Sequence, residues 1–236
     1  MQCTINILHS MHYMLVAMAF ENGALSRRAV WKRGTEHLRE SDPVMARIIS
    51  GASLKELELE SDYYRAIVES IVFQQLAGKA AEAILKRFKG LYNGRLPTPR
   101  QFLSAEESFI RNAGISPQKY SYITDLCLKL ENGLVELESL GKKPDEEVIA
   151  ELTKVKGIGR WTAEMFLMFS LGRPDVFAMD DLGLRNAVIK AYRLRKQPSK
   201  EKLAAISRKW KPYRSIASLY LWRYKDTTVI RAAKEK

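Results

Sequence analysis

The chain has 236 residues, 46% of them hydrophobic and 28% charged, with a formal net charge of +12. That hydrophobic share excludes a disordered chain, and the length suits one ordinary domain or two small lobes sharing a core. The charge favours an anionic partner and is uneven: Arg185 to Lys236 carries sixteen Lys or Arg against three acids, although charge alone does not separate a duplex reader from an RNA binder.

The apolar run Met14-Leu-Val-Ala-Met-Ala-Phe20 is too short to span a bilayer and lacks the cationic flank of a signal peptide. An upstream start codon explains it equally well, with Met11, Met14 and Met18 as alternative starts. Residues 1–29 are set aside as an extension without assigned function.

Asp42-Pro43 reads as a helix start, with Asp as N-cap and Pro at the first helical position. Ser61-Asp62 opens a second helix, whose Ile67, Val68, Ile71 and Val72 recur at helical spacing. It runs into Phe73-Gln74-Gln75-Leu76-Ala77-Gly78, where two glutamines and a glycine interrupt an apolar stretch; the ordinary reading is a helix corner. Leu96-Pro-Thr-Pro99 is a loop, a helix follows from Thr98, and Asn112-Ala-Gly114 stops it. Ser116-Pro117 starts the next, with Tyr120, Ile123, Leu126, Cys127 and Leu130 on one apolar face and Lys119 off it, either solvated or able to meet a phosphate. Pro144-Asp145 begins the helix that leads into the central motif.

That motif is Leu152-Thr-Lys-Val-Lys-Gly-Ile-Gly-Arg-Trp-Thr-Ala163. Gly157-Ile158-Gly159 breaks the helical pattern, and Arg160 to Leu171 resumes it. Glycine supplies a tight turn and close backbone approach, and Ile158 can pin the turn in the core. The amides of Gly159, Arg160 and Trp161 then open the next helix as a site fit for a DNA phosphate. A lone Gly-x-Gly is weak evidence, since it also serves simply to end one helix and start another. The following helix, carrying Trp161, Met165, Phe166, Met168 and Phe169, is apolar nearly all round and reads as central and buried. Asp180-Asp181 starts the helix Leu182 to Tyr192, Ser199 caps another, and Pro212 begins the last. No run reads as a strand, so the chain is expected to be all-α.

Cys3 and Cys127 form no CxxC or Cys/His array, and His9, His12 and His37 all precede residue 40. Zinc, iron–sulfur and imidazole chemistry near the hairpin are therefore not expected. The expectation is a reduced, intracellular, cofactor-free protein without a membrane span.

Taken with Asp175-Val-Phe and Asp180-Asp181-Leu-Gly-Leu-Arg185, the hairpin string resembles the helix-hairpin-helix-GPD superfamily of base-excision DNA glycosylases. Within it, the chain looks most like the DNA-3-methyladenine glycosylase II family, over about residues 30 to 225. The resemblance implies one glycosylase domain over 30–230, with the hairpin at 152–163, followed by a basic tail at 231–236. It also implies two helical subdomains with the active-site cleft between them.

The resemblance further implies the roles of particular residues. Asp181, second of the acidic pair, would be the catalytic carboxylate, with Asp180 capping or supporting; from position alone both read as structural. Leu76 would be the wedge that fills the gap left by an extruded base, with Gln75 and Ala77 beside it. Gly157, Gly159, Arg160 and Lys119 would contact DNA. Trp161 and Trp222 would stack on the base with Met165 nearby, a cation–π contact contributing roughly 0.5–2 kcal/mol; both tryptophans could instead be core. Met165 departs from the tyrosine of some relatives, and Ala178 stands where many have proline. Relatives that cut the strand place a lysine where this chain has Trp161, so a monofunctional enzyme is implied. Arg214 would be structural, bonded to carboxylates or helix carbonyls. The expected partner is double-stranded DNA containing alkylated bases such as 3-methyladenine and 7-methylguanine, bound by a monomer. The other readings are the same fold acting on uracil or another deaminated base, and a non-catalytic duplex-binding module.

Overall fold

In the computed structural model the described residues are 26–234, with side chains described up to Asp226. The run Met14–Phe20, Cys3, His9, His12 and the side chains of the expected basic tail lie outside them. Every regular element among the described residues is helical, as the pattern predicts. No helix among them is long and apolar enough to cross a membrane. The chain divides into two compact units: one runs Leu59–Leu171, and the other joins the segment up to Glu58 to that from Gly172 onward. The division agrees with the two helical subdomains implied by the resemblance.

The discontinuous unit begins with α1 (Arg27–Ser41) and α2 (Pro43–Ser50), joined by Asp42. Asp42 caps α2 through Val44 N–H at 2.9 Å, and Pro43 occupies the first turn. After Gly172 come α10 (Leu182–Ala191), α11 (Lys200–Ser207), a 3-10 turn (Arg208–Trp210) and α12 (Arg214–Lys234). Helix α12 packs on α1, α2 and α10. Asp42 is only 1% exposed, and its Oδ2 accepts from Tyr192 Oη and from Trp210 Nε1. A buried carboxylate is tolerable because each donor around it is also satisfied.

The last helix starts at Arg214, two residues later than Pro212 predicts. Its first amides are satisfied from far away in sequence: Arg214 N–H donates to Asp175 Oδ1 at 3.2 Å, and Ser215 N–H to Pro174 O at 3.0 Å. The Arg214 guanidinium adds Nε to Asp175 Oδ1 at 2.7 Å and Nη2 to Oδ2 at 2.9 Å. The structural role expected of Arg214 is thus a clamp on the Asp175 segment. His37 also has a structural task, donating from Nε2 to Lys209 O at 3.1 Å.

The continuous unit holds α3 (Tyr63–Phe73), α4 (Gly78–Gly90), α5 (Pro99–Leu103), α6 (Glu107–Arg111), α7 (Pro117–Glu131), a 3-10 turn (Leu137–Lys142), α8 (Asp145–Leu152) and α9 (Arg160–Phe169). Helix α3 is the hub, packing on α4, α7, α9 and the 3-10 turn. Its predicted apolar positions Ile67, Val68, Ile71 and Val72 are all buried. The single helix expected after Thr98 is two short ones, α5 and α6. Ser104 Oγ donates to Arg100 O at 2.8 Å, and this local hydroxyl–carbonyl bond accompanies the end of α5. Cys127 is buried within α7 beside Tyr64, and burial pushes its thiol up to about 11.

Candidate functional site

The hairpin between α8 and α9 takes the expected shape, and its two glycines serve different ends. Gly157 has φ +82°, the left-handed region glycine favours, and a Cβ there would lie 2.1 Å from the Tyr122 ring. Gly159 has φ −96° and ψ 174°, ordinary extended backbone, and a Cβ there would meet nothing within 4 Å. Its bareness leaves open space at the start of α9, where no side chain caps the first turn. Ile158 is 5% exposed and pins the turn, as expected.

Three residues that the motif does not reveal hold this turn. Asp125 Oδ2 on α7 accepts from Lys156 N–H at 2.7 Å. Gln74 Nε2 donates to Gly157 O at 3.0 Å, tying the end of α3 to the hairpin. The Tyr122 ring lies close enough to Gly157 to exclude any side chain there. Burial raises the Asp125 carboxyl pKa, but hydrogen bonds from Lys129 and the Lys156 amide outweigh it and hold it below the ordinary value.

Arg160 is engaged by protein carboxylates. Its Nη1 and Nη2 reach Glu146 at 2.9 and 2.6 Å, and its Nε reaches Glu164 Oε1 at 3.1 Å. These acids push its pKa further up. Lys119 is half-buried: Nζ donates to Val72 O at 2.7 Å, near the end of α3, and burial lowers its pKa.

Gln75, Leu76 and Ala77 form the corner between α3 and α4. Gln75 has φ +57°, Leu76 is 39% exposed, and Ala77 holds the N-cap position of α4 without a side-chain cap. Leu76 therefore projects an apolar group toward solvent that the unit's own core does not claim.

Trp161 does not belong to the core. It is 47% exposed, whereas Phe166, Leu167 and Met168 further along α9 are buried, so the helix has an open face at its N-terminal end. Periodicity predicted burial there because indole counts as apolar wherever it points. Trp161 and Met165 line a pocket of about 590 Å³ with Gln75, Lys119, Tyr122 and Gly157. Five expected site residues from three separate segments thus meet in one cavity of this unit. Leu76, Ala77, Gly159 and Arg160 adjoin it in sequence but are not among its walls.

Asp181 and Trp222 lie in the other unit. Asp181 is the N-cap of α10: Oδ1 accepts from Leu184 N–H at 2.6 Å and from Trp222 Nε1–H at 3.0 Å. Asp180 is not the cap; it is exposed and pairs with Lys200 Nζ at 2.8 Å. The structural reading of the acidic pair is therefore correct for the cap, but it falls on Asp181 itself. Capping and chemistry are compatible, because two N–H donors on one oxygen fix the carboxylate's orientation. Trp222 is half-buried, with its indole edge committed to Asp181 rather than to the core alone.

Comparisons with known proteins place the chain in a family with this fold. Residues 68–212 match the family model of HhH-GPD superfamily base excision DNA repair proteins. DNA-3-methyladenine glycosylase 1 of Schizosaccharomyces pombe is 38% identical over 162 residues, 68% of this chain and 71% of that protein. The crystal structure of a DNA-3-methyladenine glycosidase from Bacillus halodurans superposes with TM-score 0.76 at 36% identity, covering 83% of this chain and 90% of that one. A Schizosaccharomyces pombe 3-methyladenine DNA glycosylase in complex with abasic DNA gives TM-score 0.72 at 35% identity, covering 81% and 95%. The family model spans more than half of the chain, and the fold agrees with it, so the chain belongs to the HhH-GPD superfamily of base excision DNA repair proteins.

Proposed function

We propose that the chain is a monofunctional DNA glycosylase of the 3-methyladenine glycosylase II type. It would hydrolyse the N-glycosidic bond of flipped, alkylated bases in duplex DNA and leave an abasic site. The observation that carries this reading is the Asp181 carboxylate, held at Oδ1 by the Leu184 amide and the Trp222 indole. As the base departs, positive charge builds on the sugar, and a fixed carboxylate stabilises that charge and orients the attacking water. A base methylated at a ring nitrogen already carries positive charge, so it leaves as a neutral molecule without needing a general acid.

Trp161 offers an exposed indole to such a cationic base, with Met165 beside it. Trp222 is assigned to base recognition as well as to Asp181. Leu76, flanked by Gln75 and Ala77, fills the space the base vacates. The open start of α9 at Gly159 and Arg160 takes a phosphate through backbone N–H groups, since the Arg160 guanidinium already serves Glu146 and Glu164. Lys119 and Gly157 support that surface from the pocket wall.

Trp161 has no amine to attack C1′, so no strand cleavage is expected. The neighbouring lysines are engaged: Lys154 Nζ with Glu151 at 2.9 Å and Lys156 Nζ with Ser121 Oγ at 3.0 Å. The test is incubation with methylated duplex DNA, reading free base and borohydride trapping together. Release of 3-methyladenine and 7-methylguanine without a trapped adduct supports the reading. A trapped adduct contradicts the monofunctional assignment. Release only from uracil or hypoxanthine duplexes moves the substrate class, and silence on all of them with intact duplex binding favours a binding module.

A further inference from the structure

Helix α10 carries a glycine, Gly183, at its second position, between Leu182 and Leu184. Glycine within a helix is less favourable than alanine. Its backbone is not in the left-handed region, so conformation does not demand it here. Space does. A Cβ at Gly183 would lie 3.0 Å from Asp181 Oδ1 and 3.3 Å from both Cδ1 and Nε1 of Trp222. Comfortable carbon contacts sit at about 3.5–4.0 Å, so a methyl group must displace the carboxylate, the indole or both. Two of these three atoms, Asp181 Oδ1 and Trp222 Nε1, form the hydrogen bond between the residues.

We propose that Gly183 is a positioning residue for base excision: its missing side chain lets the Trp222 indole cross the start of α10 and hold Asp181 Oδ1. This rests on the assignment of Asp181 as the catalytic carboxylate. Gly183 touches no substrate; it acts through the pair beside it. The Leu184 amide and the Trp222 indole both donate to Oδ1, and Gly183 lies between Asp181 and Leu184 in sequence. A side chain there would crowd Oδ1, which accepts both bonds, and also the indole that makes the long-range one.

The test compares Gly183→Ala with the parent in four readouts. The expected result is a melting temperature no lower than the parent's, undamaged-duplex affinity unchanged, and single-turnover release of methylated base slowed about tenfold, the size of one misplaced hydrogen bond. The fourth is the NMR resonance of the Trp222 indole N–H, assigned by its loss in Trp222→Phe, which should move in Gly183→Ala. In a Trp222→Phe background the glycine substitution should slow release by a much smaller factor. An unmoved indole resonance, a parental rate, or equal slowing in both backgrounds overturns the proposal. If the alanine variant is recovered unfolded, Gly183→Ser presents a Cβ to the same atoms and repeats the test. A parent that releases no base sinks the catalytic reading instead, and the indole resonance then still reports whether Gly183 seats Trp222 on Asp181.

Discussion

Trp222 Nε1–H donates to the same Asp181 oxygen that caps the Leu184 amide, at 3.0 and 2.6 Å. One bond is local and comes with the helix; the other spans 41 residues and comes with the packing of α12 on α10. Together they leave the carboxylate little rotational freedom, which suits the role proposed for it beside a short-lived cationic sugar.

Trp222→Phe keeps the ring and removes the donor. A hydrogen bond to a charged group contributes about 1.5–3 kcal/mol, and about 1.4 kcal/mol is tenfold in rate, so excision should slow roughly 10- to 100-fold. Single-turnover kinetics on methylated duplex check this, and a parental rate would show that the Leu184 cap alone orients Asp181.

Leu76→Ala should leave folding intact, because an exposed substitution usually shifts stability by less than about 0.5 kcal/mol. If Leu76 fills the vacated stack, excision from a fully paired duplex should fall about tenfold, within the few kcal/mol that unstacking costs. The loss should shrink when the lesion faces a mismatch, where flipping is easier. Equal losses on both substrates would argue that Leu76 contacts DNA without acting as a wedge.

Asp125→Asn tests the support beneath the hairpin. The Asp125 pKa is depressed in the fold, so its stabilisation is complete above the unfolded value of 3.8 and fades as pH falls through the folded value. The stability difference between parent and variant, read by urea denaturation, should therefore be about 1–2 kcal/mol at neutral pH and shrink as the pH falls below 3.8. A difference that grows on acidification would have the wrong sign for this role. Duplex affinity should weaken alongside it, since the Lys156 amide loses its charged acceptor.

Asp42→Ala probes the other unit's core. It strands the Tyr192 hydroxyl and the Trp210 indole N–H around a site only 1% exposed. Unsatisfied buried groups of this kind cost about 1–3 kcal/mol each, so a loss of roughly 3–5 kcal/mol is expected by denaturant unfolding. A loss below about 1 kcal/mol would mean that water reaches these groups.

What was legible in the sequence follows the range of the interactions. Asp42, Thr98, Ser116, Ser199 and Asp181 each cap the helix that begins beside them, and local capping shows in a short string. The left-handed Gly157 and the buried Ile158 were legible for the same reason. Helix α12 was misplaced because its cap, Asp175, lies 39 residues upstream. Gln74, Tyr122 and Asp125 were missed because nothing near them in the chain marks the hairpin as their partner. Trp161 was read as part of a buried helix because hydrophobic periodicity registers polarity and not which face meets solvent.

The most direct measurement is release of 3-methyladenine and 7-methylguanine from methylated duplex by the parent and by Asp181→Asn, with duplex affinity and melting temperature measured on the same samples. Asparagine is as good an N-cap as aspartate, so the variant should fold and bind DNA like the parent. Its excision rate should nonetheless fall by at least about 10²–10³-fold, the scale on which losing a fixed transition-state charge is felt. A folded, DNA-binding Asp181→Asn that excises at the parent's rate would contradict the account at its centre.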